Sequence, residues 1–235
     1  SKRNGDASYQ DLTKQGYLKD AILNYIALLG WSPADEEILS LDDLIEQFNI
    51  EHISKAPAIF DIDKLKWMNG VYLRNMSLEE FHKVASPYYD FITIPVNTLE
   101  ISKALQPRVE RLADIPELMD FVNETLPFDA SIYKQKMKTN PENSLEALEL
   151  SLPELEKWED YDDDEGLMNM MMDIAKSHEL KKGRIMWPIR VALSNKAFTP
   201  GGAVEIAHIL GKEETLRRIR VAIEDLKKSV AESAE

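Results

Sequence analysis

The sequence predicts a mainly α-helical protein built from short helices. Three observations carry that expectation. Apolar residues recur at helical spacing in the stretch Leu18–Leu29, at Leu18, Ala21, Ile22, Tyr25, Ile26, Leu28 and Leu29, which gives one buried face. Helix-start signals recur: Ser40 is followed by Asp43, and Ser77 precedes Leu78-Glu79-Glu80. Strand signals are poor, with β-rich runs only at Ala58–Phe60 and Phe91–Val96.

Taken in order, Ser8–Gln15 is expected to form a short helix that ends near Gly16. The helix over Leu18–Leu29 is capped by Gly30, and Trp31-Ser32-Pro33 turns the chain. Leu44–Phe48 follows the Ser40/Asp43 cap. A helix from Ile62 to Asn69 is expected to break at Asn69-Gly70. Residues 71–150 read as further short helices separated by Pro87, Pro95, Pro107, Pro116, Pro127 and Pro141. Ile101–Ala113 reads as a helix in two pieces around Pro107, Pro116–Val122 as a helix with Pro in its first turn, and Glu142–Leu150 as another. Pro153–Glu165 is the most acidic run and reads as a solvated surface or a helix–helix connection. The methionine stripe of Leu167–Leu180 reads as core filler. No internal repeat is visible.

The 235 residues suffice for one large or two to three small domains. There is no run of 18 apolar residues, so no membrane-spanning helix is expected, nor is there a signal-peptide pattern. Cysteine is absent, which excludes disulfides, thiol catalysis and Cys-ligated zinc. A reducing cytoplasm and a monomer are expected. The polar opening Ser1-Lys2-Arg3-Asn4-Gly5-Asp6 has no element before it and reads as the start of a fragment of a longer protein.

Net charge is −14, but it is segregated: −5 over residues 1–70, −12 over 71–165 and +3 over 166–235. An acidic total repels phosphate. Lys181–Arg220 reverses the sign locally, with nine Lys/Arg against three Glu. Within it, an amphipathic run Arg184–Leu193 precedes a polar loop and then Thr199-Pro200-Gly201-Gly202, which reads as a helix start with Thr as N-cap and Pro first in the helix. A helix Ala203–Leu210 should stop at Gly211, with a last helix over Lys212–Leu226. Cations beside the open N–H groups of a helix start suit phosphate. Lys181, Lys182, Arg184, Arg190, Arg217 and Arg218 are the candidate phosphate contacts. Arg190, flanked by Ile189 and Val191, is equally readable as a partly buried structural residue.

Enzymatic motifs are missing. There is no GxSxG, P-loop, HExxH or GxGxxG. His52, His82, His178 and His208 form no ligand pair at helical spacing. Asp162, Asp163 and Asp164 are consecutive, whereas calcium and magnesium need oxygens spaced around a turn, so no metal site is expected. Asp61 and Asp63 lack the partner that acid–base work needs.

Two blocks resemble the bacterial-type, class I glutamyl-tRNA synthetase family. The first holds Ser1-Lys2-Arg3, Gly16-Tyr17-Leu18, Ala21-Ile22-Leu23-Asn24-Tyr25, Leu29-Gly30-Trp31 and Phe60 through Asn69. These are similar to the family's Lys-Leu-Ser-Lys-Arg, Gly-Tyr-Leu, Ala-Leu-Leu-Asn-Tyr, Leu-Gly-Trp and Phe-Asp-x-x-Lys-Leu-x-Trp-x-Asn. The second is Trp187-Pro188-Ile189-Arg190-Val191-Ala192-Leu193 followed by Thr199-Pro200-Gly201. It resembles the family's Pro-Leu-Arg-x-Ala-Leu-Thr-Gly and Ser/Thr-Pro-Gly; the middle, 71–180, is the less similar part.

The resemblance implies a C-terminal fragment that lacks the Rossmann catalytic domain. It implies a stem-contact region over residues 1–70, then an all-helical anticodon-binding domain, an α-helical cage of two subdomains over 71–158 and 159–235. The full enzyme would activate glutamate with ATP and Mg and transfer it to tRNA-Glu; the fragment would bind neither cofactor and would be inactive alone. Lys2, in the signature loop with Ser1 and Arg3, would be the lysine that contacts ATP. Thr199, Pro200 and Gly201 would touch anticodon bases, and Gly202 stands where the family often has Leu. Arg108 would read the third anticodon base, with Arg111 its nearest competitor. Two other readings compete on the residues alone: an acidic helical protein-interaction module, and a metal-dependent hydrolase built on Asp160–Glu165.

Overall fold

The computed structural model describes residues 8–33, 35–135 and 138–235. Among them are eleven α-helices, four short 3-10 turns and no strand; the only β pairing is two isolated bridges, Trp31 with Ile53 and Gln135 with Thr139. The chain divides into two units. The first holds the described residues up to Tyr89 together with Leu105–Pro116, and the second holds Asp90–Ala104 and Glu117–Glu235.

The first unit holds α1 (Tyr9–Lys14), α2 (Lys19–Gly30), α3 (Leu41–Gln47), α4 (Ile62–Asn75) and α5 (Leu78–Ala85), of which α3 and α5 start at the caps read from the sequence. Ser8, Ser40 and Ser77 each close a reciprocal capping box, with Asp11, Asp43 and Glu80 respectively. Leu12, Tyr17, Ile22, Tyr25, Leu65 and Met68 form the core between α1, α2 and α4. Asn24, buried within α2, fixes the approach to α3: its Nδ2 donates to the Glu37 carbonyl at 2.9 Å, and its Oδ1 accepts from Leu39 N–H at 2.7 Å. Asp61 is the N-cap of α4, accepting from the N–H groups of Asp63 and Lys64, which gives that carboxylate a structural task.

Gly16 sits at φ +85°, where a Cβ would stand 2.6 Å from Cβ of Leu112 and 2.7 Å from N of Ala113. Only glycine lets the turn lie against that segment.

One break expected from sequence is absent. Helix α4 runs through Asn69-Gly70 to Asn75. Asn69 does not compete for its own backbone because its side chain is used elsewhere: Oδ1 accepts from Leu18 N–H at 2.8 Å and Nδ2 donates to the Glu110 carbonyl at 2.6 Å. Gly70 is small because Glu110 crosses it closely; a Cβ would lie 3.0 Å from Glu110 Cγ. Asn69→Ala should therefore cost about 1–3 kcal/mol by stranding two partly buried backbone groups. Urea unfolding monitored by far-ultraviolet circular dichroism checks this, and a loss below a few tenths of a kcal/mol would contradict it.

The second unit is organised around α8 (Pro141–Lys157), α10 (Gly183–Ser194) and α11 (Ala203–Ser233), with α9 (Asp164–Ser177) packed on all three; it also holds α6 (Thr98–Leu105) up to Ala104, while α7 (Ile115–Leu118) begins in the first unit and ends in the second. Three readings from sequence are corrected. The 101–113 stretch is not a helix in two pieces: α6 ends before Pro107, and only a 3-10 turn, Leu112–Asp114, follows in the first unit. Pro116–Val122 is helical only in the single turn of α7, after which the carbonyls of Phe121 and Val122 are held by Arg218. Helix α8 continues through Pro153, because Leu148, Ser151 and Leu155 on its inner face are buried and outweigh one lost backbone bond. The acidic connection thus shortens to Trp158–Asp163. Asp163 caps α9 by accepting from Gly166 N–H, and Tyr161 donates to the Leu155 carbonyl at 2.7 Å.

The methionine stripe does point inward in part. Met171 is buried with Leu167, Ile174 and Ala175, while Met172 is exposed. The stop at Gly211 is present as a local break (φ 81°, ψ 171°), beyond which α11 resumes and runs to Ser233. None of the described helices is long and apolar enough to cross a membrane.

Candidate nucleic-acid interface

Helix α10 carries a basic cleft at its start and a braced loop at its end. The start has no side-chain cap; the N–H groups of Arg184 and Ile185 donate to the carbonyls of Lys181 and Lys182, so what this end offers an anion is the positive helix end and its cationic side chains. A cleft of about 480 Å³ opens there, lined by Lys138, Glu179, Leu180, Lys181, Lys182, Gly183 and Arg184. Four cations therefore face one carboxylate. Lys138 (φ 62°) and Glu179 (φ 55°) are two of the three described non-glycine residues with left-handed backbone, and both line this cleft; such conformations persist only where the surroundings hold them. Nε of Arg184 is buried and has no hydrogen-bond partner among the described residues. An unsatisfied guanidinium donor beside three lysines is a place for an oxyanion.

At the other end, Asn195 takes the left-handed conformation (φ 54°) that ends α10. The loop that follows is tied down from beneath by Arg190. Its Nη1 donates to Thr199 Oγ1 at 2.8 Å and to the Lys196 carbonyl at 3.2 Å, and its Nη2 donates to the Ala197 carbonyl at 2.7 Å. The same guanidinium lies 4.4 Å from the centre of the Trp187 ring. Arg190 is only 8% exposed, and burial pulls its pKa down to about 10, which still leaves it charged at neutral pH. Arg190 is thus corrected from phosphate contact to loop brace.

Thr199, the expected N-cap, does not cap a helix. Its hydroxyl accepts from Arg190 and donates to the Gly201 carbonyl at 3.0 Å, and α11 begins only at Ala203 with Gly202 as its cap. Gly201 holds φ +78° with Glu205 Cβ 3.0 Å from where its own Cβ would be. The Glu205 carboxylate reaches back to Gly202 N–H at 3.0 Å. A phosphate expected at this helix start would meet that carboxylate. Pro200 and Gly201 are buried and Thr199 is half-buried. What the loop presents to solvent is Phe198, 84% exposed. Sequence reasoning missed it, although a large aromatic alone in a polar loop is itself a signal.

The Arg217–Arg220 group is also not an open basic patch. Arg218 is 1% exposed. Its Nη1 donates to the carbonyls of Phe121 (2.7 Å) and Leu193 (2.8 Å), its Nη2 to that of Val122 (2.7 Å), and its Nε to Glu214 (2.8 Å). It cannot reach a phosphate, so Arg218 is corrected to a structural residue. Arg217 is held by Glu214 at 2.7 Å and by both oxygens of Glu124 at 3.0 and 3.1 Å. Those partners raise the Arg217 pKa, and Glu214, hydrogen-bonded first by Arg217 and then by Arg218, is lowered to about 2. Arg220 pairs with Glu156.

Arg108 and Arg111 belong to the first unit. Arg108 is exposed on the turn after α6, whereas Arg111 is half-buried against Asp114 and Gln15. Ser1, Lys2 and Arg3 lie outside the described residues.

Comparison with known proteins defines the class. A family model described as "Anticodon binding domain" matches residues 78–223, and one described as "tRNA synthetases class I (E and Q), catalytic domain" matches residues 1–67. The chain belongs to the anticodon-binding-domain family. Its curated relatives include the glutamate–tRNA ligases of Clostridium tetani (57% identical over 233 residues, 98% of this chain and 48% of the relative) and Clostridium acetobutylicum (53% over 232 residues, 97% and 48%). The chain spans about half the length of these relatives. Among solved structures it is similar to a glutamate tRNA ligase from Elizabethkingia meningosepticum in complex with its amino acid. That match has a TM-score of 0.79 at 30% identity and covers 96% of this chain and 45% of the other. The glutamate–tRNA synthetase of Elizabethkingia anophelis matches with a TM-score of 0.74 at 29% identity, covering 93% and 42%. The alignments therefore run through the middle of the chain, 71–180, the part that resembled the family least.

Proposed function

We propose that this chain is the tRNA-binding, anticodon-reading part of a glutamate–tRNA ligase. The observation that carries the reading is the division of α10 between its two ends. A cationic cleft opens at one end and a braced loop with an exposed aromatic stands at the other, about 18 Å apart by helix rise over twelve residues. Phosphates seated at Lys181, Lys182 and Arg184 would fix the register, and an unstacked base would lie on Phe198. Arg108 would read the third anticodon base, since its planar fork can both pair with and stack on a base. Residues 1–70 would contact the stem, and 71–158 and 159–235 would form the two anticodon-binding subdomains.

The whole enzyme would be a cytoplasmic monomer that activates glutamate with ATP and Mg and esterifies tRNA-Glu. Lys2 is the candidate ATP contact, and this chain alone would not catalyse the reaction.

The test is binding of the chain to a tRNA-Glu transcript, and to one with an altered anticodon, at two salt concentrations. Binding should fall with salt and weaken with the altered anticodon. Phe198→Ala should lose about 1–2 kcal/mol on the cognate transcript, roughly 5- to 30-fold in Kd, and less on the altered one. Salt-sensitive binding that ignores the anticodon would reduce the site to a basic surface. No binding at either salt would favour the protein-interaction reading.

A further inference from the structure

Three helices of the second unit bring together groups that the sequence keeps far apart: Glu100 on α6, Asp164 in the first turn of α9 and His208 on α11. His208 Nδ1 lies 2.7 Å from Asp164 Oδ1 and 3.5 Å from Glu100 Oε2, while its Nε2 lies 3.2 Å from Asp162 Oδ1. The imidazole is nine-tenths buried, with 10% of its side chain exposed, and Glu100 is similarly enclosed.

A neutral imidazole has one N–H and one lone pair. In either tautomer one ring nitrogen then turns its lone pair to a carboxylate oxygen, a repulsive contact that a bound cation or a second proton on the ring relieves. A carboxylate on the far nitrogen is also how metal-bound histidines are oriented and made more basic. The three candidate ligand atoms lie within 4.8 Å of one another, so a small shift of the exposed Asp164 side chain would bring all three to one ion with bonds of about 2.0–2.2 Å.

We propose that Glu100, Asp164 and His208 form a binding site for a divalent transition-metal ion of the zinc type, with Asp162 as the orienting partner. One nitrogen and two carboxylate oxygens suit Zn²⁺ or its neighbours, whereas Ca²⁺ and Mg²⁺ want six or more oxygens. Water would complete the shell on the exposed Asp164 side. The ion would tie α6, α9 and α11 together, so its binding would stabilise the folded second unit. Lys103 is the internal competitor: its ammonium donates to Glu100 Oε1 at 2.8 Å.

The experiment is calorimetric titration of the whole chain with Zn²⁺ at pH 7.5, read beside a thermal melt. One ion should bind per chain and raise the melting temperature. His208→Gln should weaken binding at least tenfold, and Asp162→Asn, on an exposed residue that folding does not depend on, should weaken it about 10- to 100-fold. Lys103→Met should tighten it. Absence of binding by the wild-type chain at 1 mM Zn²⁺ would overturn the proposal and leave a protonated imidazole as the occupant. Binding untouched by both His208→Gln and Asp162→Asn would overturn it too, by placing the ion at His52, His82 or His178.

Discussion

Arg218→Met is expected to be the most destabilising single change in the second unit. The methionine keeps most of the volume but removes every donor. The carbonyls of Phe121, Val122 and Leu193 then lose their partner in the interior, and Glu214 loses one of its two arginines. Removing one member of a buried charged network costs about 3–5 kcal/mol. For a chain of this size that corresponds to a melting point lower by roughly 6–20 °C. Arg218→Lys should recover part of the loss, since an ammonium can still donate to some of the three carbonyls. A melting temperature within 2 °C of wild type for Arg218→Met would show that those carbonyls find other partners. The same residue holds the last turn of α10 to the 121–122 segment, so the damage should spread to the loop beyond Ser194.

Replacing Lys181, Lys182 and Arg184 together by alanine should have the largest effect on tRNA binding. Each phosphate contact that is lost lowers the salt slope by about one, so the triple variant should drop by roughly 2–3. At 0.1 M salt the affinity should fall on the order of 100-fold. Stability should change little, because Lys181 and Lys182 are exposed and the Arg184 Nε has no partner to lose among the described residues. Salt-dependence of binding measured by fluorescence anisotropy checks this. An unchanged slope would move the phosphate track away from the start of α10.

Helix starts were legible because capping is local. Ser40 and Ser77 announce themselves with an acidic residue three positions on, and both boxes form; Ser8 closes a third with Asp11 that sequence reasoning missed. The break at Gly211 was legible for the same reason. What misled was tertiary override of local rules. Asn69-Gly70 has the composition of a turn, but partners at Leu18 and Glu110 claim the asparagine, and a close crossing claims the glycine. Pro153 should end a helix, yet burial of the residues around it carries α8 onward. The site was legible in its cations and only partly in their roles. Arg184, Arg190 and Arg218 look alike in a charge run. Arg218 is buried because carbonyls nearly a hundred positions earlier come to meet it. His208 looked isolated for the converse reason, since its carboxylate neighbours arrive from two other helices.

The brace under the 196–201 loop sets the energetics of whatever docks there. A loop that must be ordered on binding spends part of its contact energy on lost backbone and side-chain freedom. Here Arg190 has already fixed that geometry through its bonds to Thr199 and to the Lys196 and Ala197 carbonyls, so the ordering cost falls on folding. Tight complexes with this loop should differ from weak ones in how long they last rather than in how fast they form.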